Sequence, residues 1–186
     1  MSPVLWVILG VAVILVLWAI AAYNGLVGGR NQVKNAWSQI DVQLKRRHDL
    51  IPNLVETVKG YAGHEKETLE RVIQARSRAV DAKGPAAVGA AEGELSQALG
   101  RLMMLSEQYP NLKANQNFSA LQEELTSTEN KVGFSRQYYN DSVMHYNTRL
   151  ESFPTNLIGN SFGFEKEEFF ELADIAQREA PKVSFS

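Results

Sequence analysis

Apolar and polar positions divide the chain into two regimes. From Val4 to Tyr23 the residues are aliphatic or aromatic apart from Gly10 and the terminal Tyr23, and no Asp, Glu, Lys or Arg occurs before Arg30. A helix of this length spans about 30 Å, the hydrocarbon thickness of a bilayer, and it lacks the polar stripe that the core helix of a water-soluble domain carries. Trp6, Trp18 and Tyr23 stand towards its two ends, as in the aromatic belts of membrane spans. Ala19-Ile20-Ala21 offers the small-x-small pattern of a signal-peptidase site, but the positive n-region of a secretory leader is missing and the run is long for its h-region. The reading is a retained anchor over 1–23, followed by a juxtamembrane linker over 24–29 whose Gly25, Gly28 and Gly29 permit a bend. Gly25 and Gly29 also form a Gly-x-x-x-Gly pair beyond the apolar run, a weak signal for helix dimerisation.

Beyond Arg30 the period changes to that of amphipathic helices. Val33, Trp37, Ile40, Leu44, Ile51, Val55, Val58 and Ala62 recur at steps of three and four, with Arg47 or His48 filling the one gap. Pro52 is expected to kink this helix without ending it, because the apolar phase continues across it. Gly60 and Gly63 close it. A second helix carries Leu69, Val72, Ile73, Arg76 and Val80 up to Gly84-Pro85, and a third runs from Val88 through Leu95, Leu99 and Leu102 towards Tyr109-Pro110. The fourth, from Phe118 to Phe153, is roughly 50 Å long and keeps small residues, Thr128, Ser135 and Ser142, at sevens on its seam. Such residues allow close packing of a neighbour, or less readily line a polar pore. No stretch alternates with a period of two. The fold class is therefore all-α: one transmembrane helix, then an antiparallel up-and-down bundle of about four helices over 30–153.

Residues 154–186 form a tail of different character, aromatic and acidic, in which Glu165 to Arg178 is predicted as a short helix. Phe162, Phe164, Phe169, Phe170 and Phe185 are too many large apolar groups for a solvated tail, so docking on the chain's own bundle or on a neighbouring copy is expected.

Charge sharpens the division. The 186 residues carry a net charge of −2, but this is a cancellation: residues 30–78 sum to +4, 79–164 to −3 and 165–186 to −3. The balance gives no basis for nucleic-acid binding, which needs a basic excess. Lys and Arg follow the span and none precedes it, which by the positive-inside rule sets the N-terminus outside and the following domain in the cytoplasm. A pattern basic after the span and acidic at the tail suits contact with anionic lipid or head-to-tail contact between copies.

Candidate chemistry is sparse. With no cysteine there is no disulfide, thiol nucleophile or thiolate metal site. His64-Glu65 opens an H-E-x-x pattern, but position 68 is Thr where a zinc protease needs its second His. His145 has no carboxylate pair at ligand spacing. No nucleotide-binding loop or G-x-S-x-G elbow occurs. No catalytic, cofactor-binding or metal residue is assigned and no cofactor is expected. The one polar concentration on the core stripe is Asp41, Lys45, Arg46, Arg47, His48 and Asp49, between Trp37 and Pro52. Asp41 and Lys45 make an i,i+4 pair. Arg47 and Asp49 cannot be buried unpaired, so a network bridging helices near the proline is expected.

The run Asn31-Gln32-Val33-Lys34-Asn35-Ala36-Trp37-Ser38-Gln39-Ile40-Asp41-Val42-Gln43-Leu44-Lys45-Arg46-Arg47-His48-Asp49-Leu50-Ile51-Pro52-Asn53-Leu54-Val55 resembles the signature of the LemA family. So do Ala22 to Val27, Tyr61-Ala62 with His64-Glu65, Ile73 to Arg76, Tyr109-Pro110 with Leu112 to Ala114, and Phe153-Pro154 through Pro181-Lys182-Val183-Ser184-Phe185. The resemblance implies a bacterial single-pass membrane protein with a helical-bundle domain and no agreed activity. Relatives are associated with membrane stress and membrane proteases, and one branch with magnetosome membranes. Three functions are open at this point. A non-enzymatic scaffold would self-assemble as a homo-oligomer on the lipid bilayer. An adaptor or regulator would serve a membrane protease. An enzyme would use Arg47, His48 and Asp49 around a pocket near the proline.

Overall fold

The computed structural model describes residues 2–171, and among these every regular element is helical. They run α1 (Pro3–Lys59), α2 (Lys66–Asp81), α3 (Pro85–Ser106), the single turn α4 (Pro110–Lys113), α5 (Gln116–Glu151) and α6 (Thr155–Ser161). The chain divides into two compact units to which α1 and α5 both contribute. Among the described residues, one contains the chain from Ser2 to Ile40 together with Ser135–Glu168; the other contains Asp41–Phe134 and Phe169 to Glu171.

In the first unit, α1 begins as the apolar run. Its most apolar 18-residue window has a mean hydropathy of 2.9 and no buried residue. Side chains such as Trp6 and Ile14 stand 61% and 67% exposed, an arrangement stable only in an apolar surrounding. The bend expected over 24–29 is absent: α1 continues unbroken through Gly25, Gly28 and Gly29. The first and last of these glycines serve contact. A Cβ on Gly25 would lie 3.2 Å from Arg149 Nη1, and one on Gly29 would lie 3.2 Å from a Tyr146 ring carbon. Their bare backbone lets α5 approach, and packing outweighs the cost of about 1 kcal/mol that each helical Gly carries. Gly25 faces Arg149, Gly29 faces Tyr146 and Trp37 faces Tyr139, so residue numbers rise along α1 as they fall along α5 and the two helices are antiparallel. Leu26, Val33, Ala36 and Ile40 are buried here, as are Tyr139, Val143, Tyr146 and Leu150.

In the second unit the rest of α1 packs with α2, α3, α4 and the first half of α5 around one core, which includes Ile51, Leu54, Val58, Val72, Leu95, Leu102, Leu112 and Phe118. Neighbours are again antiparallel: Arg78 pairs with Glu94 while Arg71 and Arg101 line the same groove, and Arg46 pairs with Glu124 while Tyr61 meets Asn115. Gly84, at φ 84°, with Pro85 beginning α3, turns the chain sharply between α2 and α3. Asn115 Oδ1 accepts the Phe118 N–H at 3.1 Å and caps α5. The face of α2 differs from expectation. Ile73 and Val80 stand 52% and 53% exposed, while Ala75 and Ala79 join Leu69 and Val72 inside, because the neighbouring helix sits close enough for alanine to fill the seam. Thr128 and Ser142 are buried and donate to the carbonyls of Glu124 and Tyr138 on their own helix, which satisfies them without a pore.

The fourth helix ends at Glu151, short of Phe153, which is 80% exposed. After α6 the described chain from Phe164 to Glu171 is non-helical, and from Glu165 to Glu168 it is stretched along seven residues of α5, in place of the helix predicted from Glu165. The remainder of that predicted helix, and Phe185, lie outside the described residues.

Candidate functional site

Pro52 organises the first site. Lacking an N–H, it cannot bond the carbonyl four residues earlier, which belongs to His48. That oxygen accepts instead from Arg76 Nε of α2 at 2.7 Å. The proline thus turns an internal helix bond into a link between helices, and α1 runs on to Lys59.

One turn earlier, the gap in the apolar stripe is filled by Arg47 and His48, 4% and 8% exposed. Buried charge demands partners. Arg47 Nη1 donates to Glu92 Oε2 at 3.0 Å and Nη2 donates to Ser96 Oγ at 2.8 Å, both on α3. The other oxygen of Glu92 lies within hydrogen-bond distance of His48 Nε2, at 2.6 Å. Glu92 is itself 1% exposed. Glu129 on α5 approaches Arg47 Nη2 to 3.9 Å, and Arg46 pairs at the surface with Glu124. All four long helices of this unit therefore contribute to one cluster, through Arg47 and His48, Arg76, Glu92 and Ser96, and Glu129.

Arg47, Ser96 and Glu129 also line a cavity of about 260 Å³ with Leu99, Gly100 and Met103 among its walls. His48 and Asp49 are not among its lining residues. Ser96 Oγ accepts from the Arg47 guanidinium, and His48 Nε2 faces the Glu92 carboxylate and not the Ser96 hydroxyl. Among the described residues no group of three His, Asp or Glu side chains is placed to hold a metal ion.

The residues singled out from sequence divide accordingly. Arg47 and His48 form the buried network and Arg46 its rim. Asp49 departs from expectation: it is exposed, because at about 100° per residue it lies about 200° round the helix from Arg47, past the edge of the buried face. Asp41 and Lys45 are both exposed, where an i,i+4 ion pair contributes little. Pro52 is exposed, and Trp37 is half-buried with its ring edge-on to Tyr139 at 5.4 Å in the first unit. Glu92, the network's anion, escaped the sequence reading. It sits four residues after Val88 and three before Leu95, on the apolar face of α3, and an acidic residue there was the signal for a buried cationic partner.

The tail forms a second candidate surface. In the first unit Tyr146 Oη donates to the Glu165 carbonyl at 2.9 Å and Tyr139 Oη to that of Glu168 at 2.8 Å. Between them Asn147 brackets Glu167, donating to its carbonyl at 2.9 Å and accepting its N–H at 3.0 Å. Three α5 side chains thus replace the backbone partners that an extended segment would otherwise lack. Burial first, then the charges of Glu167 and Glu168, pushes the Tyr139 hydroxyl up to about 12. Tyr146 is raised too, chiefly by burial. Phe164 is 9% exposed, packed at 5.6 Å on Tyr23 and beneath the Arg30 guanidinium at 5.1 Å. Phe162 lies against Tyr23 at 5.0 Å yet remains 63% exposed. In the second unit Phe170 is 2% exposed and Phe169 41%. The Glu171 carbonyl there occupies the space that a Cβ on Gly89 would need, 2.0 Å away.

An apolar N-terminal helix of spanning length, followed by an all-helical domain in which helices packed antiparallel share a buried Arg–Glu–His cluster, fits a single-pass membrane protein. The LemA family profile matches residues 36–185, and the chain belongs to the LemA family. It is 26% identical over 156 residues to Protein LemA of Metamycoplasma hominis, covering 82% of this chain and 70% of that one. It is 24% identical over 175 residues to Magnetosome protein MamQ 2 of Paramagnetospirillum magneticum, and 24% identical over 174 residues to Magnetosome protein MamQ of Magnetospirillum gryphiswaldense. Both of those matches cover 80% of this chain and 64% of the relative, so the chain spans just under two thirds of the length of either magnetosome protein.

Proposed function

We propose that this chain is a membrane-anchored, non-enzymatic scaffold that self-assembles at the bilayer, with its N-terminus outside and its helical domain in the cytoplasm. The observation that carries the reading is the use made of Arg47, His48 and Glu92. These are the groups best suited to chemistry, and each is committed to holding helices in register. Self-assembly draws support from apolar side chains left exposed in the second unit: Ile73 and Val80, seven residues apart on one side of α2, Met104 at 64% and Phe134 at 73%. The orientation rests on Arg30 and Lys34, the basic residues that follow the span most closely.

The test is the particle size of the full-length protein extracted from native membranes in lipid-preserving polymer discs. A defined particle of several copies is expected, reduced in size by the double change Ile73→Glu and Val80→Glu. A monomer at every concentration would overturn the scaffold. The same exposed groups favour a second reading, an adaptor that presents this face to a membrane protease. In that case crosslinking in native membranes recovers a second protein, where the scaffold recovers the chain itself.

A further inference from the structure

We infer that the first unit carries a binding site for the phosphate of an anionic phospholipid, in the cleft between α1 and α5 just beyond the membrane span. The cleft has a volume of about 320 Å³ and is lined by Gly29, Gln32, Ser142, His145, Tyr146 and Arg149. Its lining offers a guanidinium, an imidazole and a carboxamide, and no carboxylate, while the Ser142 and Tyr146 hydroxyls already donate to the carbonyls of Tyr138 and Glu165. Arg149 reaches into it with Nη1 donating to the Gly25 carbonyl at 2.9 Å, a fixed pose in which its other guanidinium nitrogens make no hydrogen bond among the described residues. Fixed guanidinium donors match phosphate oxygens.

Position selects the lipid over a phosphate in solution. The apolar run ends at Tyr23, and Gly25 to Gln32 lie two to nine residues further along the same helix, about 3 to 14 Å beyond the hydrocarbon. The headgroup layer occupies about 5 to 8 Å of that distance. The end of α5 and α6 extend the membrane-facing character around the span. Phe162, packed on Tyr23, is 63% exposed, and Phe153 and Leu157 are 80% and 54% exposed, which places large apolar groups where acyl chains begin. A lipid beside the span can therefore lay its chains against these side chains with its phosphate at Arg149. Gly29 keeps the cleft open, because a side chain there would compete with the Tyr146 ring for the same space.

The test uses the full chain reconstituted in phosphatidylcholine bilayers, with spin-labelled phosphatidylglycerol and spin-labelled phosphatidylcholine as probes of the lipid held at its surface. A preference of about fivefold for phosphatidylglycerol is expected, the contribution of one basic residue near anionic lipid. Arg149→Gln, which keeps a donor for the Gly25 carbonyl, and His145→Glu, at an exposed position, should each bring it close to equality. Lys131→Gln, the same charge change elsewhere on α5, should leave it intact. Equal association of both lipids with the unaltered chain would overturn the site, as would a loss for Lys131→Gln equal to that for Arg149→Gln. Displacement by excess inorganic phosphate would overturn the lipid as the source of the phosphate.

Discussion

Replacing Glu92 by Gln keeps the shape of the side chain and deletes its charge, leaving the Arg47 guanidinium 4% exposed without its counter-ion. At the observed 3.0 Å contact, the attraction removed is about 5 kcal/mol for an effective dielectric constant near 20. Hydrogen bonds from the carboxamide and the approach of Glu129 to 3.9 Å recover part of this, so the expected net loss is about 3 kcal/mol or more, the range seen when one partner of a buried pair is removed. For a cooperative unit of this size that corresponds to a fall in Tm of about 12 °C or more. The assay is the loss of helical circular dichroism at 222 nm on heating the full chain in detergent. The double replacement Arg47→Met with Glu92→Leu removes both charges and fills the space with apolar groups, and it should regain most of the stability. If Glu92→Gln melts within a few degrees of the unaltered chain, or the double replacement melts no higher than the single one, the cluster does not hold the helices as argued.

Arg76→Met strips the His48 carbonyl of its donor and should destabilise by about 1 to 3 kcal/mol. In a Pro52→Ala background the backbone N–H of residue 52 serves that oxygen, so the same change should cost markedly less, and equal costs in the two backgrounds, read by urea unfolding, would refute the link. The Tyr139 hydroxyl ionises at about 12 in the folded chain against 10 when free, so the folded state retains a proton that the unfolded state has released. The stability this contributes is complete below pH 10 and is lost as the pH rises towards 12. A nitroxide on a single cysteine at residue 167 should gain mobility across that window, and Tyr139→Phe should flatten the transition.

Much of this architecture is legible in the residue pattern, because the step of three and four survives wherever a helix buries one face. Ile51, Val55, Val58, Val72, Leu95 and Leu102 all lie where that rule places them. It fails where distant contacts decide. Gly25 and Gly29 read locally as a hinge, and only the approach of Arg149 and Tyr146, more than a hundred residues on, makes them helical. Ile73 and Val80 read as core because they are large, yet the spacing to the neighbouring helix favours Ala75 and Ala79. The acidic run after Phe164 has helical composition but is drawn into an extended path by hydroxyl and amide groups of Tyr139, Tyr146 and Asn147. The polar cluster was half visible: its cations interrupt the stripe of α1, whereas its anion stands on a helix whose apolar face reads smoothly past it.

The bond from Arg149 to the Gly25 carbonyl joins residues 124 positions apart. On the ribosome, at about 5 to 20 residues per second, roughly 6 to 25 s separate the synthesis of its two ends. During that interval Leu26, Val33 and Ile40 already extend from the anchor with no partner to cover them. The first unit cannot close until its second helix is made, so every nascent copy passes through a stage with an open apolar face. Newly made chains are thus exposed to pairing with one another, and to the cell's quality control, for longer than a domain built from neighbouring helices would be.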